Sequence, residues 1–368
     1  MCERDMRFPI RLCFLGMILL LSGCATHTGI EQRFFWPIGG LDPKIEYIGF
    51  YASDQDVKHP ESSFAQAVLG VEPGKPIFVS PHGIGSRGDG VLAVTDPGQG
   101  KVLILDLPKG EVRKLKNPKG RNFSFPLPMA VVFRPDGGGY VSDTQKQDIL
   151  RFDANETVVQ EFGQKDGLNR PNGLAYDPKS QQLYVADTLN HQIAVFSADG
   201  KLIRRIGKRG AGEGEFNFPL DVALAPDGNL VVLDSLNPRV QILRPDGSFV
   251  RMFGERGTAS GSFQLPKGVA VDGFGHIYVT DGQAHRFLIF DEQGHFLLNI
   301  GAHARVVEGK VHPGGLSLPK GIAADADGAI FIVDSLNQIV HRYQYLSKAY
   351  LQTHPIQKGE QIVPEGLR

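Results

Sequence analysis

Apolar and polar positions along this chain fall into runs of about six residues, each ending in Gly, Asp, Asn or Pro, the residues that reverse a chain. The stretch from Lys267 is the clearest: KGVAVD, an Asp-Gly-Phe-Gly turn, HIYVTD, the turn GQAH, RFLIFD, an Glu-Gln-Gly turn, then HFLLNIG. Four strands are predicted. The first is apolar on both faces, as expected of a strand sandwiched between neighbouring sheets. RPNGLAYDPKSQQLYVADTLNHQIAVFSADGKLIRRIG and FPLDVALAPDGNLVVLDSLNPRVQILRPDGSFVRMFG follow the same grammar.

The unit recurs. Pro is followed 15 or 16 residues later by Asp at Pro81/Asp96, Pro128/Asp143, Pro171/Asp187, Pro219/Asp234, Pro266/Asp281 and Pro319/Asp334, with successive aspartates 47, 44, 47, 47 and 53 residues apart. A four-stranded unit cannot cover both of its faces, so six of them stacked radially predict an all-β fold, a six-bladed β-propeller. The last unit stops near HRYQYL after its third strand, while Lys44–Gly49 reads like a fourth strand. An N-terminal strand is therefore expected to complete the last blade and close the ring; SKAYL from Ser347 is the alternative donor. Strand direction alternates within a blade, which places the loop before each Pro and the turn after each Asp on one face of the disc, the upper face. The Asp-Gly turns fall on the lower face.

The pattern Pro-x-Gly-Val-Ala-Val-Asp, then Val-x-Asp-x-x-Asn-His/Pro-x-Ile/Val, resembles NHL repeats over about residues 76 to 346. That fold serves enzymes, receptors and binding scaffolds alike, so the resemblance implies architecture more than activity.

The N-terminus adds an address. Arg7 and Arg11 precede an apolar run, Leu12 to Ser22, too short to span a bilayer. It ends in Leu21-Ser22-Gly23-Cys24, which resembles the lipobox of bacterial lipoproteins. The resemblance implies cleavage before Cys24, acylation there by several chains that anchor stably, and, with Ala25 rather than Asp following, export to the outer membrane. Together with the repeats it resembles the NHL-repeat lipoproteins of bacteria. Met6 opens a more usual signal of this type than Met1. The expected organisation is a signal peptide at 1–23, a lipid-anchored linker at 24–43, the propeller at 44–346 and a C-terminal tail at 347–368. Cys2, Cys13 and Cys24 are the only cysteines among 368 residues, so the mature chain offers no thiol for a disulfide.

Composition agrees with many short strands: Gly 45 and Pro 24 are high. A net charge of -1 points to neither nucleic acid nor an anionic membrane surface.

Residues that repeat in every blade are expected to serve geometry. The six aspartates are read as turn caps that accept backbone N–H bonds. Positions that differ between blades are the candidates for chemistry. Immediately after the Pro, at the predicted channel mouth, stand His82, Met129, Asn172, Leu220, Lys267 and Lys320. Lys267, Lys320 and His82 form an arc of adjacent blades that suits a carboxylate, a phosphate or an acidic sugar, with Asn172 and Asp221 beside or opposite it. Peptide-amidating lyases of the NHL class bind zinc through histidines from several blades, one at a position resembling that of His82. Zinc catalysis needs about three protein ligands, and this ring carries one His. Calcium-dependent propeller lactonases use a Glu, Asn and Asp cage. Pro171-Asn172-Gly173 resembles their Asn-bearing motif, and Asp221 sits one place later in the next blade, but no Glu accompanies them.

A loop between the first two blades carries Lys114, Lys116, Lys119 and Arg121 without an acid and is a second partner candidate. The segment ESSFAQAVLGV, 61–71, could form a short amphipathic helix. His303 and His312 share the longest inter-blade loop. Gly83–Gly88 matches G-x-G-x-x-G, but in a predicted hairpin with no following helix to hold a phosphate. The expected function is a lipid-anchored cell-envelope scaffold, binding an envelope protein or polysaccharide through its upper face, with no cofactor and no nucleic acid. The competing expectation is a lyase- or lactonase-type enzyme with zinc or calcium in the central channel.

Overall fold

The computed structural model describes residues 33–38, 42–58, 74–118, 124–307 and 310–356. Within them the chain forms six antiparallel sheets, and their innermost strands are Ile84–Ser86, Pro128–Phe133, Pro171–Asp177, Pro219–Leu224, Pro266–Val271 and Pro319–Ala324. Each packs against the next and the last packs against the first, so the six blades close into a propeller. In blades two to six the Pro and Asp of each repeat are direct cross-strand partners. Their fixed spacing is the length of one hairpin.

The ring closes as the sequence predicts. Ile45–Tyr51 pairs antiparallel with Ile339–Tyr345 as the fourth strand of blade six. The alternative donor after Ser347 forms a helix instead, Lys348–Thr353, because the Ser347 hydroxyl caps it by accepting the Tyr350 N–H. One strand was not expected: Phe34–Trp36, within the stretch read as linker, adds a fifth strand outside Ile45–Tyr51 and buries all three side chains.

Apolar side chains meet in the seams between blades. Six clusters occupy the six seams; the one between blades six and one joins Tyr51, Phe78, Ile84, Leu92, Phe331 and Val340. A second repeat underlies them. Three residues before each Pro stand Phe78, Phe125, Leu168, Phe216, Phe263 and Leu316, none more than 3% exposed. Each is a wedge carried into the seam by the loop that enters its blade.

The aspartates fix those loops. All six are 0% exposed. Asp96 accepts the Val79 and Ser80 N–H groups, Asp187 that of Asn169, Asp234 that of Asn217, Asp281 those of Gln264 and Leu265, and Asp334 that of Ser317, at 2.7–3.0 Å. In blade two the residue at the usual donor position is Pro126, which has no N–H, and Asp143 takes Leu127 instead at 3.1 Å. The turn-capping expectation holds in four blades, where Gln99, Lys146, Ala284 and Asn337 donate backbone N–H groups to the aspartate of their own turn; in blades three and four the turn's donors to Asp187 and Asp234 are the side-chain amides of Asn190 and Asn237 instead. The loop clamp is the larger role, and the sequence reading did not contain it.

Loss of a wedge should therefore cost far more than loss of an exposed apolar side chain. Phe263→Ala is expected to destabilise the protein by about 3–5 kcal/mol, against roughly 0.5 kcal/mol for Leu297→Ala on an outermost strand. Equilibrium denaturation with urea reads both.

Candidate functional site

The innermost strands surround a channel of about 240 Å³. Its lower half is lined by Val132, Tyr176, Leu224, Val271 and Ala324 and is largely apolar. Polar groups gather at the upper mouth, where each strand begins. Close packing there depends on the Gly two residues after the Pro: a Cβ on Gly83 would lie 2.1 Å from the Met129 carbonyl, and one on Gly268 2.6 Å from that of Lys320. Neighbouring backbones leave no room for a side chain.

A hydrogen-bonded belt holds this mouth. Thr95 donates to the Met129 carbonyl, Ser142 to Asn172, Thr188 to Pro219, Ser235 to Pro266 and Thr280 to Lys320, and the Gly321 N–H donates to the His82 carbonyl. Every seam is linked. The positions after the Pro are thereby held at fixed angles around the axis, with blade three opposite blade six and blade four opposite blade one.

His82 lies partly buried, its Nδ1 3.2 Å from the Met129 carbonyl oxygen. A carbonyl only accepts, so Nδ1 carries the proton and Nε2 is left as an acceptor. Burial, then the positive charge of Lys320, pushes the imidazole pKa down to about 3, and the ring is neutral. Lys267 and Lys320 are each half-buried. Burial lowers the pKa of both; Arg170 adds to this at Lys267, and Lys267 adds to it at Lys320. Among the described residues neither ammonium has a hydrogen-bond or ion-pair partner.

Across the mouth, Asn172 is 4% exposed. Its Nδ2 donates to Thr188 Oγ1 at 2.7 Å, and that hydroxyl donates onward to Pro219 at 2.8 Å. The hydroxyl proton is thus committed, which fixes the orientation of the amide. Asn172 Oδ1 is left buried with no partner among the described residues. Asp221 accepts the Val222 and Val269 N–H groups, both at 2.9 Å, and so staples blade four to blade five. Burial raises its pKa to about 7 against the opposing pull of those two N–H groups.

All five candidates at the mouth are brought to one ring. Arg170 joins them, a residue the sequence reading passed over: it precedes Pro171 with φ of 60° and acts on Lys267. Its signal was present, since the other blades carry Ser80, Leu127, Phe218, Leu265 and Leu318 there.

The remaining candidates lie elsewhere. Lys114 and Lys116 are exposed, and Lys116 Nζ donates to the Asn155 carbonyl at 2.8 Å, a bond that ties the loop to blade two. Lys119, Arg121, Cys24 and the segment 61–71 lie outside the described residues. His303 packs on His285 with ring centroids 4.5 Å apart, and His312 is exposed. Gly83–Gly88 lies in the expected hairpin between Ile84–Ser86 and Val91–Asp96.

The donor set does not fit zinc or calcium. No three His, Cys, Asp or Glu side chains converge among the described residues. At the mouth His82 and Asp221 stand on opposite blades, and each Asp221 oxygen already accepts a backbone N–H.

Four likenesses to known proteins bear on the fold. A family model described as a 6-bladed beta-propeller matches residues 177–240. A structure of unknown function from Bacteroides thetaiotaomicron is similar at 14% identity and a TM-score of 0.60, covering 82% of this chain and 75% of that one. Virginiamycin B lyase from Staphylococcus aureus is similar at 14% identity and a TM-score of 0.53, covering 73% and 95%. A gluconolactonase from Xanthomonas campestris is similar at 17% identity and a TM-score of 0.56, covering 73% and 86%. At such identities the likeness shows the fold alone.

The two perturbed groups titrate with opposite signs. Folded Asp221 holds a proton up to about pH 7 while an unfolded Asp releases it near 3.8, so its contribution to stability grows as pH falls from 8 to 5. Folded His82 stays neutral while an unfolded His gains a proton near 6.5, so its contribution shrinks over the same window. The Tm difference between wild type and Asp221→Asn should rise on acidification from pH 8 to 5, and that between wild type and His82→Gln should fall. Scanning calorimetry in matched buffers reads both.

Proposed function

We propose that this protein is a binding scaffold of the NHL-repeat lipoprotein type, anchored through Cys24 to the cell envelope, most simply the outer membrane, and engaging an anionic envelope partner through its upper face. The observation that carries the reading is the pair of lysines at the mouth. Lys267 is held close enough to depress Lys320 and is itself depressed by Arg170, and neither ammonium has a hydrogen-bond or ion-pair partner among the described residues, whereas the lower-face acids Asp136, Asp227, Asp246 and Asp272 are spent on their own turns. Two unneutralised ammonium groups at one spot favour an anion.

The surface around the mouth supports a partner larger than the channel. Leu189, Leu236 and Leu336 occupy the same turn position in blades three, four and six and are 38%, 46% and 48% exposed. The anchor would hold this surface near the membrane. Nine residues of sequence separate Cys24 from Phe34, which sets an upper limit of about 35 Å on the distance between them. The enzyme reading lacks a comparable observation, since no three His, Cys, Asp or Glu side chains converge among the described residues.

Replacing Leu236 on the upper face, or Phe274 on the lower face, with a photo-crosslinking amino acid in intact cells tests the reading. Adducts are expected from position 236 and should disappear in the Lys267→Ala/Lys320→Ala background. Equal adducts from both faces, or adducts indifferent to the lysines, would overturn it, as would one tightly held zinc or calcium per purified chain. Cys24→Ala should release the protein from the membrane fraction; retention there would overturn the anchor.

A further inference from the structure

The upper mouth is polar in a directional way. Its cationic side, Lys267 and Lys320, lies on blades five and six, and its acceptor side, Asn172 and Asp221, lies on blades three and four; Asn172 stands diametrically across from Lys320. We infer that this mouth binds a single anionic sugar unit, with its carboxylate or phosphate on Lys267 and Lys320 and its hydroxyls donating to Asn172 Oδ1 and His82 Nε2. The inference deepens the scaffold reading by naming the group that enters the channel.

Three observations lead to it. The first is the orphan acceptor. Asn172 Oδ1 is buried and unpaired, with the flip of its amide fixed through Thr188. A buried acceptor without a donor costs about 1–3 kcal/mol, so a ligand that brings an O–H there recovers that cost. A simple carboxylate such as acetate cannot, because once ionised it has no proton to give.

The second is net charge. Lys267, Lys320 and, on blade three, Arg170 share the mouth with one carboxylate, whose pKa burial raises to about 7. The mouth stays positive. A zwitterion, with no net charge, would put its ammonium next to an already cationic rim; an anionic polyol adds no cation and offers several donors. His82 is neutral and presents Nε2 as an acceptor, a second site suited to a hydroxyl.

The third is size. A channel of about 240 Å³ is below the roughly 300–1,000 Å³ of pockets that enclose drug-sized ligands. Its apolar lower half offers a sugar no hydrogen bonds. One ring fits at the mouth, and a longer polymer would have to leave across the upper face.

Calorimetric titration of the full chain in detergent at low salt tests this, using glucuronate, glucose 6-phosphate, glucose, acetate and inorganic phosphate as probes. At least one of the two anionic sugars is expected to bind tenfold or more tightly than glucose and than its matching simple anion, acetate or phosphate; which of the two binds identifies the anionic group. Lys267→Ala/Lys320→Ala should reduce that sugar to the level of glucose. Asn172→Ala should reduce it toward the matching simple anion without changing the simple anion's own affinity. The probe panel uses the wild-type protein, so the test does not depend on any variant folding. Equal binding of sugar and simple anion, equal binding of glucose, or no binding by either anionic sugar overturns the inference. Those results leave the crosslinking from position 236 to decide the scaffold reading separately.

Discussion

The structure depends on one hydrogen bond made six times: a fully buried aspartate accepting a backbone N–H from the loop that enters its own blade. A carboxylate taken out of water needs several donors to remain there. Here the donors come from the loop and the turn together, and in blade four Arg239 adds its guanidinium at 3.1 Å. Burial still raises the Asp234 pKa to about 6, which shows how close to balance the arrangement sits. The bond fixes the loop, the loop inserts its wedge into the seam, and the Pro that follows becomes the cross-strand partner of the same aspartate. The next residue then has one place to go, the rim of the channel.

This chain of constraints explains why the fold was legible in the sequence and the site only in part. A demand repeated six times leaves a repeated residue, so the Pro/Asp spacing exposed the blades, and the interrupted last unit exposed the closure. The wedges repeat as faithfully but escaped notice, because Phe or Leu just before a strand reads as the end of an apolar run. Phe34–Trp36 was missed for a different reason: three residues carry no periodicity. The rim residues were found by the opposite logic, as differences that the scaffold does not require.

What the sequence could not show is how each rim residue is employed. Asp221 looked like half of a cation site, yet both its oxygens hold backbone N–H groups across a seam, so much of its role is structural. Asn172 looked like the other half. Its amide nitrogen serves Thr188, and only the oxygen remains for a ligand, a division that follows from where the Thr188 proton goes. Neither fact has a sequence signature, because each depends on a residue in another strand.

The lysines and His82 are best understood together. Each ammonium is destabilised by burial and by a neighbouring positive charge, and the same charges help keep His82 neutral. The belt of inter-blade bonds fixes the backbones that carry the two lysines on adjacent blades, so an anion at the mouth would relieve the electrostatic cost of their proximity. The acceptor character of His82 comes first from burial and from the Nδ1 bond to the Met129 carbonyl, with the lysine charges adding to it. An anion seated on the lysines would remove only the smaller, electrostatic part of the fall in the His82 pKa and would leave the burial, so His82 stays neutral and its Nε2 remains an acceptor for the hydroxyl that the same ligand brings.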